Sequence, residues 1–153
     1  MNNQRGFATL ETILVILIIA VLVTVALPKA ARMVDAVRLD YEMKKFLSTL
    51  DFAKSLNKNA YYQPEIFVGN ISGDNATALQ IILSNTSYSL KRKGTIIHEP
   101  YNLPEGFSIQ GINPIYFSQS NNGHVTLTSR QNFNRYIIFD SVGRWRGDIT
   151  APK

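Results

Sequence analysis

The sequence predicts an α+β protein: a long N-terminal helix, membrane-spanning in its first half, packed on a small antiparallel β-sheet. Three observations carry this. From Phe7 to Leu27 the chain is apolar apart from Thr9, Thr12, Thr24 and Glu11, close to the ~20 residues a helix needs to cross a bilayer core. From Lys29 to about Tyr62 apolar residues recur at helical steps. Beyond Gln63-Pro64 the pattern changes to the alternation of strands. The residues divide accordingly into 1–6, 7–28, 29–63 and 64–153.

The first segment contains an anomaly. A carboxylate in an apolar span costs about 2.5–3.5 kcal/mol at mid-membrane and less near an end, so Glu11 is a functional candidate by default. Its natural partner is a positive charge at the head of the same segment. Cleavage between Gly6 and Phe7 would create one, a free α-amine four residues before Glu11 on the same helix face. An ordinary secretory signal would instead be cut after its apolar core, with Thr24-Val25-Ala26 a passable site, and a plain single-span anchor would not be cut. Neither accounts for Gly6, Phe7 and Glu11 together.

Gly6-Phe7, followed by Glu11 and an unbroken apolar run, resembles the class III leader of type IV prepilins and type II secretion pseudopilins. The resemblance implies a leader over residues 1–6, cleavage after Gly6, N-methylation of Phe7, and pairing of Glu11 with the N-terminus of a neighbouring subunit during filament assembly. The implied partners are the prepilin peptidase/N-methyltransferase, other pilin or pseudopilin subunits and an inner-membrane assembly platform. The implied fold is the pilin fold, and the implied location is the bacterial cytoplasmic membrane, with the globular part outside. Pro28 falls where that family commonly bends or melts its helix. Ala8-Thr9 stands where Thr-Leu is usual, a mild departure. Counting charges alone, Arg5 against Lys29, Arg32 and Arg38, would put the domain inside. The leader is a dedicated signal, so the resemblance is followed.

In the second segment Phe46, Leu47, Leu50, Ala53, Leu56 and Ala60 form a stripe expected to face a core, with Lys44, Lys45, Asp51, Lys54 and Lys58 on a solvated face. Both segments together make one helix of roughly fifty residues, far beyond the usual globular 8–20. With about twenty residues in the membrane, the ~125 left for one soluble domain, the second half of the helix included, can bury a core without disulfides or metal. With no cysteine in the chain, the domain relies on packing alone, unlike many members of the resembled families.

Expected strands are Glu65–Val68, Tyr88–Leu90, Thr95–His98, Phe107–Gln110, Ile115–Ser118, Val125–Thr128 and Tyr136–Asp140, followed by Val142 to Arg146. Ala78–Leu83 could be strand or helix. Asn70 to Asn75 and Leu103-Pro104-Glu105-Gly106 read as turns, and Lys91-Arg92-Lys93-Gly94 as a basic hairpin tip. Ile115–Ser118 and Val125–Thr128, around Asn122-Gly123, look like a hairpin. The N-x-[ST] sites at Asn70, Asn75 and Asn85 mark polar loops.

No enzyme emerges. His98 and His124 lie apart with no second ligand at metal spacing, there is no cysteine nucleophile, and neither G-x-S-x-G nor a phosphate-binding glycine loop occurs. No cofactor is expected. The net charge of +5 and pI of about 9.6 favour acidic partners. The sharpest basic feature is Gly143-Arg144-Trp145-Arg146. In an extended segment Arg144 and Arg146 share one face, where two guanidiniums can fork onto phosphates, while Trp145 points away. Arg130 and Arg135 lie on the same closing stretch. The run from Val125 to Arg146 also resembles the closing strands of GspH/FimT-type minor pilins, where DNA-uptake members use a G-R-x-R here. The resemblance offers Arg144 and Arg146 as DNA contacts; Arg130, Arg135, Lys91, Arg92 and Lys93 join them on charge. Solvated arginines, a structural tryptophan and a solvated hairpin tip are the plain alternative. The expectation is thus a pilin-like subunit of a type II secretion filament, with DNA capture in natural transformation as the alternative.

Overall fold

The computed structural model describes residues 3–62, 79–92, 94–117, 123–140 and 144–152. The expected strand Glu65–Val68, the turn Asn70 to Asn75, and residues Lys93, Asn122 and Gly143 lie outside them.

One helix, α1 (Asn3–Tyr62), is packed on antiparallel sheet, as the apolar periodicity requires. The chain divides into two compact units, Met1–Asp35 and Ala36–Lys153. In the first, α1 carries apolar residues on every side, with Ile13 to Leu27 exposed throughout. It is long and apolar enough to cross a membrane. The helix runs through Pro28 and is not melted there.

In the second unit α1 becomes one-sided. Leu39, Phe46, Leu50 and Ala53 are fully buried, and Leu47 and Leu56 pack partly against the same core. The Ala60 and Lys58 side chains lie outside the description. Lys44 and Asp51 are exposed as expected. Lys45 and Lys54 are corrections, since both bend over aromatic rings: Lys45 Nζ sits 3.6 Å from the Tyr101 ring centroid and Lys54 Nζ 4.6 Å from that of Trp145. Their methylene stems cover apolar surface while the ammonium meets a π face.

The strands form two four-stranded antiparallel sheets. The first, in order β3-β2-β1-β5, comprises β1 (Leu79–Ser84), β2 (Ser87–Arg92), β3 (Thr95–Asn102) and β5 (Ile115–Tyr116). The second, β4-β6-β7-β8, comprises β4 (Ser108–Gly111), β6 (Gly123–Thr128), β7 (Asn134–Phe139) and β8 (Trp145–Asp148). Strict alternation of burial in β1, with Leu79, Ile81 and Leu83 inside, settles its ambiguity as strand. Asn85 lies in the exposed β1–β2 turn, in keeping with a polar loop.

The hairpin expected from Ile115 to Thr128 is not formed. β5 pairs with β1 through Gln80↔Tyr116 and Ile81↔Ile115, whereas β6 lies between β4 and β7. The reason is competition for an edge: β4 already holds the side of β6 that β5 would need, down to Gly111↔Val125. Gly111 has φ +140°, and a Cβ there would sit 2.7 Å from the Val125 Cα, so only glycine lets the strands approach this closely. The chain then crosses to the other sheet at Asn113, whose peptide to Pro114 is cis. The Asn113 amide imitates a strand residue, accepting from Leu83 N at 3.0 Å and donating to Leu83 O at 2.8 Å.

Candidate functional site

In the N-terminal unit, Gly6, Phe7 and Glu11 all lie within α1. Phe7 and Glu11, one turn apart, are both exposed. Among the described residues Glu11 makes no ion pair. Thr24 satisfies its hydroxyl locally by donating to Val21 O at 2.8 Å, which is how a polar side chain is tolerated in hydrocarbon.

In the second unit the sequence-predicted basic residues part company. Arg135 is not a surface cation: its side chain is 12% exposed and its Nε donates to Asp40 Oδ1 on α1 at 2.5 Å. The side chain offered on charge as a DNA contact is thus ion-paired within the fold. Helix and sheet converge there, and the guanidinium satisfies a carboxylate that packing has partly desolvated. Arg130 is exposed and lies along Gly106, donating from Nη2 to Glu105 O at 3.2 Å. Lys91 and Arg92 close β2, where partial burial lowers the pKa of Arg92.

The alternation expected around Trp145 is present. Arg144 and Arg146 are exposed, and Trp145 is half-buried against Phe117 and Phe139, with ring centroids at 6.1 and 6.3 Å. Arg144 is nevertheless paired with an aspartate. Arg144 donates from its backbone N and its Nε to Asp140, both at 2.9 Å, closing the β7–β8 connection. Asp148 is held below the usual carboxylate range, chiefly by the Thr150 N–H and hydroxyl and to a lesser degree by Arg146.

The fold does bring the two basic motifs to one end of this unit. Arg92 is in register with Leu79, whose carbonyl accepts from Phe117 N at 3.3 Å. Phe117 meets Trp145 edge-on, Asn57 Nδ2 donates to Phe117 O at 3.2 Å, and Lys54 lies over Trp145. The Lys91–Arg92 tip, the start of β8 and the Lys54–Asn57 turn of α1 thus share an end. Sequence reasoning placed Lys54 on a solvated face. Its position three residues before Asn57 was the signal that it shares that turn, but nothing local named Trp145 as its neighbour.

Among the described residues no three His, Asp or Glu side chains converge as a metal site would require. His98 faces its neighbour's carbonyl, Nδ1 to Glu99 O at 3.1 Å, and His124 packs on Tyr136. No family model, curated protein or solved structure matches this chain.

Proposed function

We propose that this chain is a structural minor pilin or pseudopilin subunit of a type II secretion system, cut between Gly6 and Phe7, methylated at Phe7 and polymerised into a type IV pilus-like filament. Before assembly it is held in the bacterial cytoplasmic membrane by α1, with the globular part outside. The observation that carries this reading is the change of character along α1: apolar and exposed on all sides from Ile13 to Leu27, then buried on one side from Leu39. A helix apolar all round needs lipid or copies of itself. Glu11, one turn after Phe7, supplies the carboxylate that a neighbour's N-terminus would neutralise. The protein acts mechanically, with prepilin peptidase, other subunits and the assembly platform as partners, and needs no cofactor.

The test is a pair of substitutions followed in cells. Glu11→Ala should be processed normally yet fail to enter filaments; normal incorporation would sink the pairing role. Gly6→Leu should keep the leader, giving a mature mass too large by Met1–Gly6.

A second reading, DNA capture, draws on the exposure of Arg144 and Arg146 at the end shared with Lys91 and Arg92. Titration of detergent-solubilised full chain with labelled duplex at several salt concentrations tests it. Phosphate contacts predict a log–log salt slope that falls by about one for each arginine removed. Binding untouched by Arg144→Ala and Arg146→Ala would leave those residues as surface charge.

A further inference from the structure

Within the second unit, α1 has another face that the fold leaves uncovered. Opposite the buried stripe of Leu39, Phe46, Leu50 and Ala53 lie Val37, Tyr41, Lys44, Ser48, Asp51 and Ser55, all exposed. They recur at alternating steps of four and three residues, the spacing of a coiled-coil seam. Val37 is 67% and Tyr41 61% exposed, and Phe52 beside the seam is 48% exposed. Aligned along one seam, these apolar side chains form a stripe and not a scatter. Ser48 is small, and Ser55 turns its hydroxyl back to Phe52 O at 2.7 Å, so neither holds a neighbour away. Lys44 and Asp51 carry opposite charge, and neither has an ion-pair or hydrogen-bond partner among the described residues. Two turns apart on their own helix, about 10.5 Å, they are too distant to pair with each other.

We propose that this seam packs on the same seam of a second copy of the chain, parallel and displaced by seven residues, so that Lys44 of one copy pairs with Asp51 of the next. The inference rests on the filament reading, in which copies enter one membrane by their N-terminal segments and so run the same way. Helices in register would set Lys44 against Lys44 and Asp51 against Asp51, and like charges oppose that pairing. A shift of four residues sets Lys44 against Ser48, and a shift of three sets Asp51 there. Seven is the smallest shift that keeps every knob in an equivalent hole and joins opposite charges, a translation of about 10.5 Å per copy. It also seats Tyr41 over the next copy's Ser48. An exposed ion pair adds little affinity, so the apolar contacts hold the helices while the charges select the register. Each copy offers Lys44 to one neighbour and Asp51 to the other, so the contact is heterologous and repeats along a filament without closing a dimer.

The chain has no cysteine, so full-length variants carrying Lys44→Cys or Asp51→Cys, under different tags, can be coexpressed and oxidised in filaments. A disulfide needs Cα atoms within about 7 Å. The mixed pair should therefore crosslink at least about tenfold more than either variant expressed alone. Equal crosslinking by Lys44→Cys alone would mark helices in register and overturn the proposal. So would the absence of a crosslink between variants that do enter filaments, a result that leaves the filament reading standing. Failure of the unaltered chain to enter filaments overturns both. Charge exchange gives a second readout on residues that are exposed and unpaired within the fold. Lys44→Asp and Asp51→Lys should each lower incorporation at least about threefold, and the two together should restore it. Single variants that incorporate normally, or a double variant no better than either, would also overturn the staggered pairing.

Discussion

Arg135 on β7 holds Asp40 on α1 across ninety-five residues of sequence, with its guanidinium largely buried and the carboxylate nearly half exposed. This contact ties the helix to the second sheet, as the Tyr101 hydroxyl donating to the buried Glu42 at 2.8 Å ties it to the first. Arg135→Ala should cost about 1–2 kcal/mol, the lower part of the range for hydrogen bonds to charged groups because Asp40 keeps access to water. Asp40→Ala should cost no less, since it strands the more buried partner. Thermal melts of both variants and the double variant would give the coupling, and DNA affinity should not change with Arg135.

Tyr88 is 4% exposed, and its hydroxyl has no hydrogen-bond partner among the described residues. Thr49 lies close enough to ease ionisation slightly, yet its own hydroxyl donates to Lys45 O. Burial pushes the Tyr88 pKa from 10.0 to about 12. The folded state thus holds this proton more tightly than the unfolded chain. Its contribution is fully present below pH 10.0 and is lost as pH rises towards about 12, on the order of 2 kcal/mol in all. Tyr101 is raised as well, first by burial and then by its bond to Glu42. Alkaline titration at 295 nm should show both phenols ionising only with loss of structure. Tyr88→Phe should raise stability by up to about 1 kcal/mol and move the alkaline transition upward.

The Asn113 clamp on Leu83 can be dissected by isosteres. Asn113→Ala leaves a strand-end N–H and C=O to find water and should cost about 1–2 kcal/mol. Asn113→Asp keeps the acceptor for Leu83 N but turns an oxygen towards Leu83 O, so denaturant midpoints should fall further for Asp than for Ala. The reverse order would mean that the side chain is not read as donor and acceptor together.

Two glycines should respond differently to alanine. Gly111→Ala meets Val125 backbone at a φ that side chains avoid, and should cost at least about 2 kcal/mol with no simple rescue. At Gly147 the new methyl would meet Met43 Sδ at 2.8 Å, a flexible side chain that can move. Gly147→Ala should therefore cost about 1 kcal/mol, and Met43→Ala should relieve the larger loss from Gly147→Val. Urea unfolding of the single variants and of the Met43→Ala/Gly147→Val double variant checks the contrast.

The long helix, its apolar first half, the core stripe of Phe46, Leu50 and Ala53, and most strand positions were legible in the sequence. Each rests on periodicity within a dozen residues, and an exposed carboxylate in an apolar run stands out by the same local rule. Glu42 and Leu39 extend the stripe by helical spacing, but the acid at 42 masked it, because the Tyr101 hydroxyl that bonds it comes from a distant strand.

What only the tertiary structure decided were choices among distant partners. Ile115–Tyr116 joined β1 because β4 had occupied the edge of β6. Arg135 became a helix tie because Asp40 arrived beside it, and Lys54 left water for Trp145. The Lys91–Arg92 tip and the Trp145 strand share an end because Leu79 and Phe117 stand between them. Alternation tells which face a side chain takes, yet a strand's two edges and a cation's nearest carboxylate depend on which other segments arrive, and no local pattern encodes that.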